Sequence, residues 1–522
     1  ASNLCGTYTI GGSNPDFVDF SSAVSILSNA GVSCPVIFNV RSGTYNEQVT
    51  LGAISGSSVI NTVTFQSEVL DSSQVSLHYS LSNPSYDYTL YFDSCSNVIF
   101  KDIGVLRSNG DYAIRIEGGC SNLDFRNGVF GNIYSSSSSV DTDISIQNSV
   151  CQQIDLRGVS LSEKMSQVVI RDNIINASKT ADGSHSYWAV GLYNVSGGLI
   201  KGNDIDVFTG STWNGGACSS PKGYGLYIER ADSLVVEDND IYSRSDSYFN
   251  NCHHHSYGFR MSYGLSCIFR NNDISVHSTD GRENSYAFDI TNGDSIYIEG
   301  NNFLINSGED VFGGSISSNN SFISHNTLTP SGSRVFSYGI SYSGSNSTID
   351  SNIIGTNTSG ILVAGGSGNI VEKNSITASS SKCIGVSTSN NIVRMNRLLN
   401  MTSTGVEISS GNNELSNNYI HLEGSLTNVG IKLTSASSNS SVLYNSINNR
   451  STPTNPIGSV AIQVDGTPSN LTVKNNIFAC TGGGMPVNIP SQQGAHQWDY
   501  NNYFSPNGYI GSYNNIEYDS IS

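Results

Sequence analysis

The chain has 522 residues, of which 13% are charged, and a formal net charge of −18; the usual charged share is roughly 25%. An acidic chain with no Lys/Arg-rich run has no electrostatic basis for binding nucleic acid, and no apolar run approaches the ~18 residues of a membrane span. High Gly (53 residues), with abundant Ser and Asn, suits many tight turns better than salt-bridged helices. Ten cysteines fit an oxidising compartment, and the absence of a CxxC pair weakens a zinc reading. The chain starts Ala-Ser-Asn, which reads as a mature secreted product whose leader has been removed.

Residues 1–34 read as a cap. Phe20, Ala23, Val24, Leu27 and Ala30 follow a helical spacing, with Asp19 as N-cap and Gly31 as the stop. An amphipathic helix here would cover the unpaired strand edges of the region that begins at residue 35, and Cys5 and Cys34 flank it closely enough to staple it. Val36–Val40 and Gln48–Leu51 then alternate like strands.

The pattern from residue 35 onward is a repeat. Between Ser359 and Ile420 the rows are 22 residues long: Asn374, Asn396 and Asn418 recur at that interval, each followed two residues later by an apolar side chain (Ile376, Leu398, Ile420). A second apolar segment lies between them, as in Gly360-Ile361-Leu362-Val363 and Cys383-Ile384-Gly385-Val386. One row cannot bury its own apolar face, but a stack of rows buries a continuous column. The Asn column extends upstream through Asn352, Asn326, Asn301, Asn272, Asn239, Asn203 and Asn173, with Asp102, Asn127 and Gly158 assigned to the earliest rows. Downstream it runs through Asn445, Asn476 and Asn502. The expected fold is all-β: a single-stranded right-handed parallel β-helix, or solenoid, with an N-terminal capping α-helix and roughly 18 coils over residues 35–522. Rows longer than 22 residues must eject loops, the largest near 206–223 and 242–256. Cys95, Cys120 and Cys151 each precede an assigned column position by seven residues, so they are expected to stack, with two of the three able to pair.

Gly6–Gly12, the helix, and Gly43-Thr44-Tyr45-Asn46-Glu47-Gln48-Val49 are similar to the opening shared by secreted right-handed parallel β-helix proteins such as pectinesterases and pectate-lyase-like proteins. The rows, for example Leu234–Asp240, resemble the parallel β-helix repeat. The whole is nearest to the large surface proteins that Bacteroidota-type bacteria export, which implies an extracellular or cell-surface location. The catalytic motifs of those families do not carry over; Asp310-Val311-Phe312-Gly313 is only a faint echo of the pectinesterase motif.

One cluster stands out. The outward residue after the column Asn is Asp204, Asp240 and Asp273 in three successive rows. Stacked carboxylates repel one another, and a Ca²⁺ ion would relieve this. Lys201 and Arg270 lie nearby and could instead neutralise the column. The loops of the same rows carry Trp213, Arg244, His253, His254 and His255, a candidate ligand-binding set; Cys218 and Cys252 could tether them. Two functional readings are open. In one, the protein is a non-catalytic structural or adhesive β-helix, self-associating end to end or holding a cell-surface glycan. In the other, it is a Ca²⁺-dependent lyase or related enzyme on acidic polysaccharide, with the Asp column as metal site and Lys201 or Arg270 as base.

Overall fold

The computed structural model describes all residues except 1, 81–86, 109–111, 137, 182–185, 212–221, 248–254, 279–283, 307–310, 332–337, 357–358, 379–380, 401–402, 425–426, 454–457, 493, 495, 507–508 and 520–522. It divides into two compact units, the first mainly Ala1–Thr212 with Pro221–Arg244 and Phe259–Asp273, the second mainly Ile274–Ser522. Both are parallel β-helix.

The first unit opens on the expected cap. The helix Phe20–Ala30 buries Phe20, Ala23, Val24 and Leu27, and the Asp19 side chain and Ser22 form a reciprocal capping box. Gly31 stops the helix at φ 68°, and its N–H donates to the Leu27 carbonyl. Cys5 and Cys34 form the disulfide anticipated for the cap. The strand Leu4–Ile10 pairs in parallel with Val32–Val40, which pairs with Val63–Ser67. Stacking of the coils places Phe38, Phe65 and Phe100 in one interior pile, with successive ring centroids 4.7 and 4.9 Å apart.

The second unit shows the repeat at its most regular. Ile361, Ile384, Val406 and Ile431 are successive register partners on one strand column. Val371, Val393, Leu415 and Val442 form the next, and Ile376, Leu398, Ile420 and Ile447 the third. All are buried. Each coil is therefore a three-sided turn whose inward aliphatic side chains touch their equivalents above and below.

The asparagine ladder is real and continuous within each unit. Asn374 Nδ2 donates to Asn396 Oδ1 at 3.0 Å and to the Ile349 carbonyl at 2.9 Å, while its own N–H also donates to Asn396 Oδ1. Asn396 repeats the pattern toward Asn418. In the first unit Asn173, Asn203, Asn239 and Asn272 do the same. The residue before each ladder Asn is left-handed, whatever its type: Lys373 at φ 53°, Met395 at 57°, Asn417 at 56°, Tyr444 at 56°. This tight turn aims the amide inward.

That geometry corrects three assignments. Upstream of Asn173 the column continues as Ser149, Gly128 and Ile103, not Gly158, Asn127 and Asp102; Ser149 N–H donates to Asn173 Oδ1, and Gly128 N–H to Ser149 Oγ. Asp102 and Asn127 are the left-handed residues one place earlier. At the other end Asn501, not Asn502, receives the bonds from Asn476. Cys151 leaves the proposed cysteine column, because it pairs in register with Phe130 and Ile175. Cys95 and Cys120 do stack, Cys95 N–H donating to Cys120 Sγ at 3.3 Å, but both are free, buried thiols. A second ladder, Ser321–Ser347–Asn369–Asn391–Asn413–Ser440, runs along another edge of the second unit. Its asparagines are also 22 residues apart.

Candidate functional site

The outward residue after each ladder Asn lies on an exposed edge of the first unit. Asp204 N–H donates to the Asn173 carbonyl, Asp240 N–H to Asn203 and Asp273 N–H to Asn239. These three residues therefore occupy equivalent places on consecutive coils, and all three are exposed. Asp240, in the middle, has its pKa raised by partial burial and then by the charges of Asp204 and Asp273. Coils are ~4.8 Å apart, so the backbone positions of Asp204 and Asp273 are ~9.6 Å apart, with that of Asp240 between them. Among the described residues no three His, Cys, Asp or Glu side chains form a group that could hold a metal ion.

Lys201 and Arg270 belong to a different column, two residues before the ladder Asn. Their register partner Glu237 lies between them. Lys201 Nζ is 2.7 Å from Glu237 Oε1 and 3.2 Å from Asp238 Oδ2, and Arg270 Nη2 is 2.5 Å from Glu237 Oε2. The hydrogen bond that Lys201 donates to Glu237, and then the one to Asp238, raise the Lys201 pKa. A proton-abstracting lysine needs the opposite shift, so the position of Lys201 does not suit the base expected from sequence.

Of the other candidate residues, Arg244 lies 3.2 Å from Asp206 Oδ2 and stacks its guanidinium over Phe208 and Tyr242. His255 is half-buried at the start of the strand His255–Ser262. Trp213, His253 and His254, with Cys218 and Cys252, lie outside the described residues.

Beside the Asp column is a polar cleft. The strands Ile174–Ala181 and Asp204–Ser211 are in register, with Ile174 opposite Asp204 and Asn176 opposite Asp206. Alternation then turns Asn176 and Ser178 the same way as the column. A cleft of about 270 Å³ is lined by Asn132, Gln152, Asn176, Ser178, Lys179 and Tyr187. A second of about 270 Å³ shares Asn176 and Ser178 and reaches Asp206, Phe208 and Arg244. Lys179 Nζ lies 5.5 Å from the Tyr187 ring centroid, and burial pushes the Tyr187 phenol up to about 12.

The chain next to Tyr187 leads onto an aromatic strip. Tyr91, Arg115, Tyr134, Asp155, Gly191 and Tyr227 are successive register partners, all on the outer face of one sheet. Gly191 has a steric reason: a Cβ there would meet the Trp188 indole at 2.4 Å, so the missing side chain lets Trp188 lie across the strip. Trp188 packs 5.4 Å from Tyr227 and 5.9 Å from Tyr193. Arg157 lies between Tyr134 and Tyr193, at 5.5 and 4.6 Å from their centroids, and Tyr112 stacks on Tyr134 at 4.2 Å. Trp188, Tyr134, Tyr193 and Tyr227 are half-buried.

Both guanidiniums of the strip hold carboxylates. Arg157 makes paired bonds to Asp155 at 3.0 and 2.7 Å; burial raises the Asp155 pKa despite this partner. Arg115 grips Glu117 and Asp87, both at 2.7 Å. Burial alone would raise Glu117, but the bonds from Arg115 and Tyr91 outweigh it and lower its pKa. Sequence reasoning missed this strip. The one available signal was the high tyrosine content, 27 residues, many at outward strand positions.

Residues 307–456 match the NosD family, described as a periplasmic copper-binding protein. That match covers well under half of the chain. No curated protein matches the sequence. Among solved structures, the chain is similar to a mannuronic acid specific polysaccharide family 6 lyase from human gut microbiota (12% identity, 76% of this chain and 86% of that one, TM-score 0.37). It is also similar to the Aspergillus niger pectin methylesterase (12% identity, 59% and 87%, TM-score 0.28) and to the lidless DFA-IIIase of Arthrobacter chlorophenolicus A6 (12% identity, 83% and 93%, TM-score 0.29). At such distances these matches say nothing about activity. Among the described residues of that stretch, which exclude Met401, the copper of the matched family does not suit the side chains present. Cys383 is a fully buried thiol, Met395 and His325 lie three coils apart on the exposed turn column, and His421 is taken by Glu423 at 2.8 Å. The Cys5–Cys34 disulfide accords with an extracytoplasmic location.

Proposed function

We propose that this protein is an extracytoplasmic, non-catalytic saccharide-binding β-helix that adheres to a glycan, at a cell surface or in its matrix. The observation that carries the reading is the half-exposed aromatic strip of Tyr134, Trp188, Tyr193 and Tyr227 continuing into the polar cleft at Tyr187. Sugar rings present apolar faces edged with hydroxyls. Amphipathic aromatic rings cover the faces, and amides such as Asn132, Gln152 and Asn176 suit the hydroxyls. Binding rather than bond cleavage is favoured by the state of the charged groups: Glu117 and Asp155 are held by arginines, and Lys201 is held as an ammonium by Glu237. Retention of the full chain on a panel of insoluble and soluble polysaccharides tests this. We expect binding without release of reducing ends or of unsaturated uronates, with or without Ca²⁺. Failure to bind any glycan would remove the proposal, and Ca²⁺-dependent unsaturated products would replace it with the lyase reading.

A further inference from the structure

The charges around this site specify the class of glycan. We infer that the strip and cleft take an uncharged polysaccharide and reject uronate-rich or sulfated ones. This rests on the saccharide-binding reading above and adds the substrate class.

An anionic sugar is recognised through cations that are free to face it, above all the planar fork of an arginine. Here the forks of Arg115 and Arg157 are already occupied, Arg115 by Glu117 and Asp87 and Arg157 by Asp155. Arg244, at the edge of the cleft, reaches Asp206 through Nη2 alone, at 3.2 Å. The faces of all three guanidiniums are stacked as well, Arg115 on Tyr91, Arg157 on Tyr134 and Tyr193, Arg244 on Phe208 and Tyr242. Breaking such a pair to bind a carboxylate would leave Asp155, which is 6% exposed, as an uncompensated charge. Lys179 does face the cleft, with its ammonium over Tyr187. It is outweighed by Asp204 and Asp240 on the adjoining column, both exposed, while the neighbouring cations Lys201 and Arg270 are engaged by Glu237. These exposed carboxylates and the net charge of −18 for the whole chain both act against the approach of a polyanion. Recognition then rests chiefly on ring stacking and neutral hydrogen bonding, which do not require a charged ligand.

Affinity electrophoresis of the full chain through gels containing one polymer each separates the outcomes. Neutral probes are hydroxyethylcellulose, xyloglucan and galactomannan; anionic probes are polygalacturonate, alginate and a sulfated galactan. Runs at low ionic strength, where the Debye length is about 30 Å, keep the repulsion unscreened. We expect retardation by at least one neutral polymer, insensitive to salt, and none by the anionic polymers. Trp188→Ala and, independently, Tyr134→Ala should each weaken the neutral interaction by about tenfold, while Tyr444→Ala, in the second unit, should leave it unchanged. Circular dichroism shows whether each variant is folded; one folded strip variant suffices. Retardation by anionic polymers as strong as that by neutral ones, or stronger, overturns the charge inference and leaves saccharide binding standing. Retardation by none of the polymers overturns both. Neutral binding that survives both strip substitutions overturns the assignment of the strip.

Discussion

A single residue shows how burial and charge trade against each other in this fold. Asp141 is fully buried, and its Oδ1 accepts the Cys120 N–H at 2.7 Å. Its Oδ2 is buried and has no hydrogen-bond partner. Burial, with the bonds from Cys120 and Gly119 opposing it, pushes its pKa up to about 6 from an ordinary 3.8. A carboxyl whose pKa is raised by folding binds its proton more tightly in the folded state, so its contribution is fully present below about pH 4 and is lost as pH rises to about 6. A tenfold change in proton affinity corresponds to about 1.4 kcal/mol. Asp141→Asn keeps the acceptor for Cys120 N–H and cannot ionise. We expect it to match the wild-type chain in stability near pH 4 and to exceed it by about 1–3 kcal/mol at pH 7. Urea unfolding of the two proteins across that range measures the difference, which cancels the other carboxylates. A difference that does not vary with pH would show that Asp141 is already accommodated as an anion.

At the scale of the element, the helix Phe20–Ala30 shows what can and cannot be read from a local pattern. Its apolar stripe, Asp19 and Gly31 are all local signals, and the helix ends where they place it. The rest of its cap comes from elsewhere: Glu47 Oε1 accepts Phe20 N–H at 3.1 Å, and Glu47 Oε2 accepts Ser21 N–H at 2.8 Å and the Ser21 hydroxyl at 2.6 Å. A carboxylate at a helix N-terminus satisfies orphan donors and complements the dipole. Glu47→Gln retains one acceptor but loses the other and the charge, and should destabilise the cap by about 1 kcal/mol. The measurement is limited proteolysis: cleavage within residues 1–34 should quicken severalfold with the other coils unaffected. Unchanged cleavage would mean that Asp19 alone suffices. The turns were harder to read than the helix. Left-handed backbone advertises itself when Gly or Asn carries it, but Lys373, Met395 and Tyr444 hold the same conformation because the ladder above and below fixes it. Asp102 and Asn127 carry the reverse error: side chains that look like ladder members occupy the turn position before it.

At the scale of the molecule, what was legible was whatever repeats. Inward amides and aliphatics recur at each coil because each must fit its equivalents, so Asn374, Asn396 and Asn418 announce the stack. The aromatic strip does not repeat in sequence. Its members lie 19 residues apart between Arg115 and Tyr134 and 36 between Asp155 and Gly191, because coils of unequal length separate them. Only the register brings them together. The same one-dimensional build governs stability: a coil touches its two neighbours and little else, so damage should stay local. Asn396→Ala provides a sharp test. It removes the acceptor for Asn374 N–H and Nδ2–H, and the donor for the Val371 carbonyl, all in a buried column. Each buried polar group left unpaired costs about 1–3 kcal/mol, of which relaxation recovers part. Hydrogen exchange should report faster opening for the amides of Asn374 and its adjacent coils, on the order of a hundredfold for a loss of about 2.7 kcal/mol. Amides of the strip in the first unit, such as Tyr134 and Tyr193, should exchange at the wild-type rate. If protection fell equally in both places, the chain would be unfolding as one cooperative body and the nearest-neighbour description would fail.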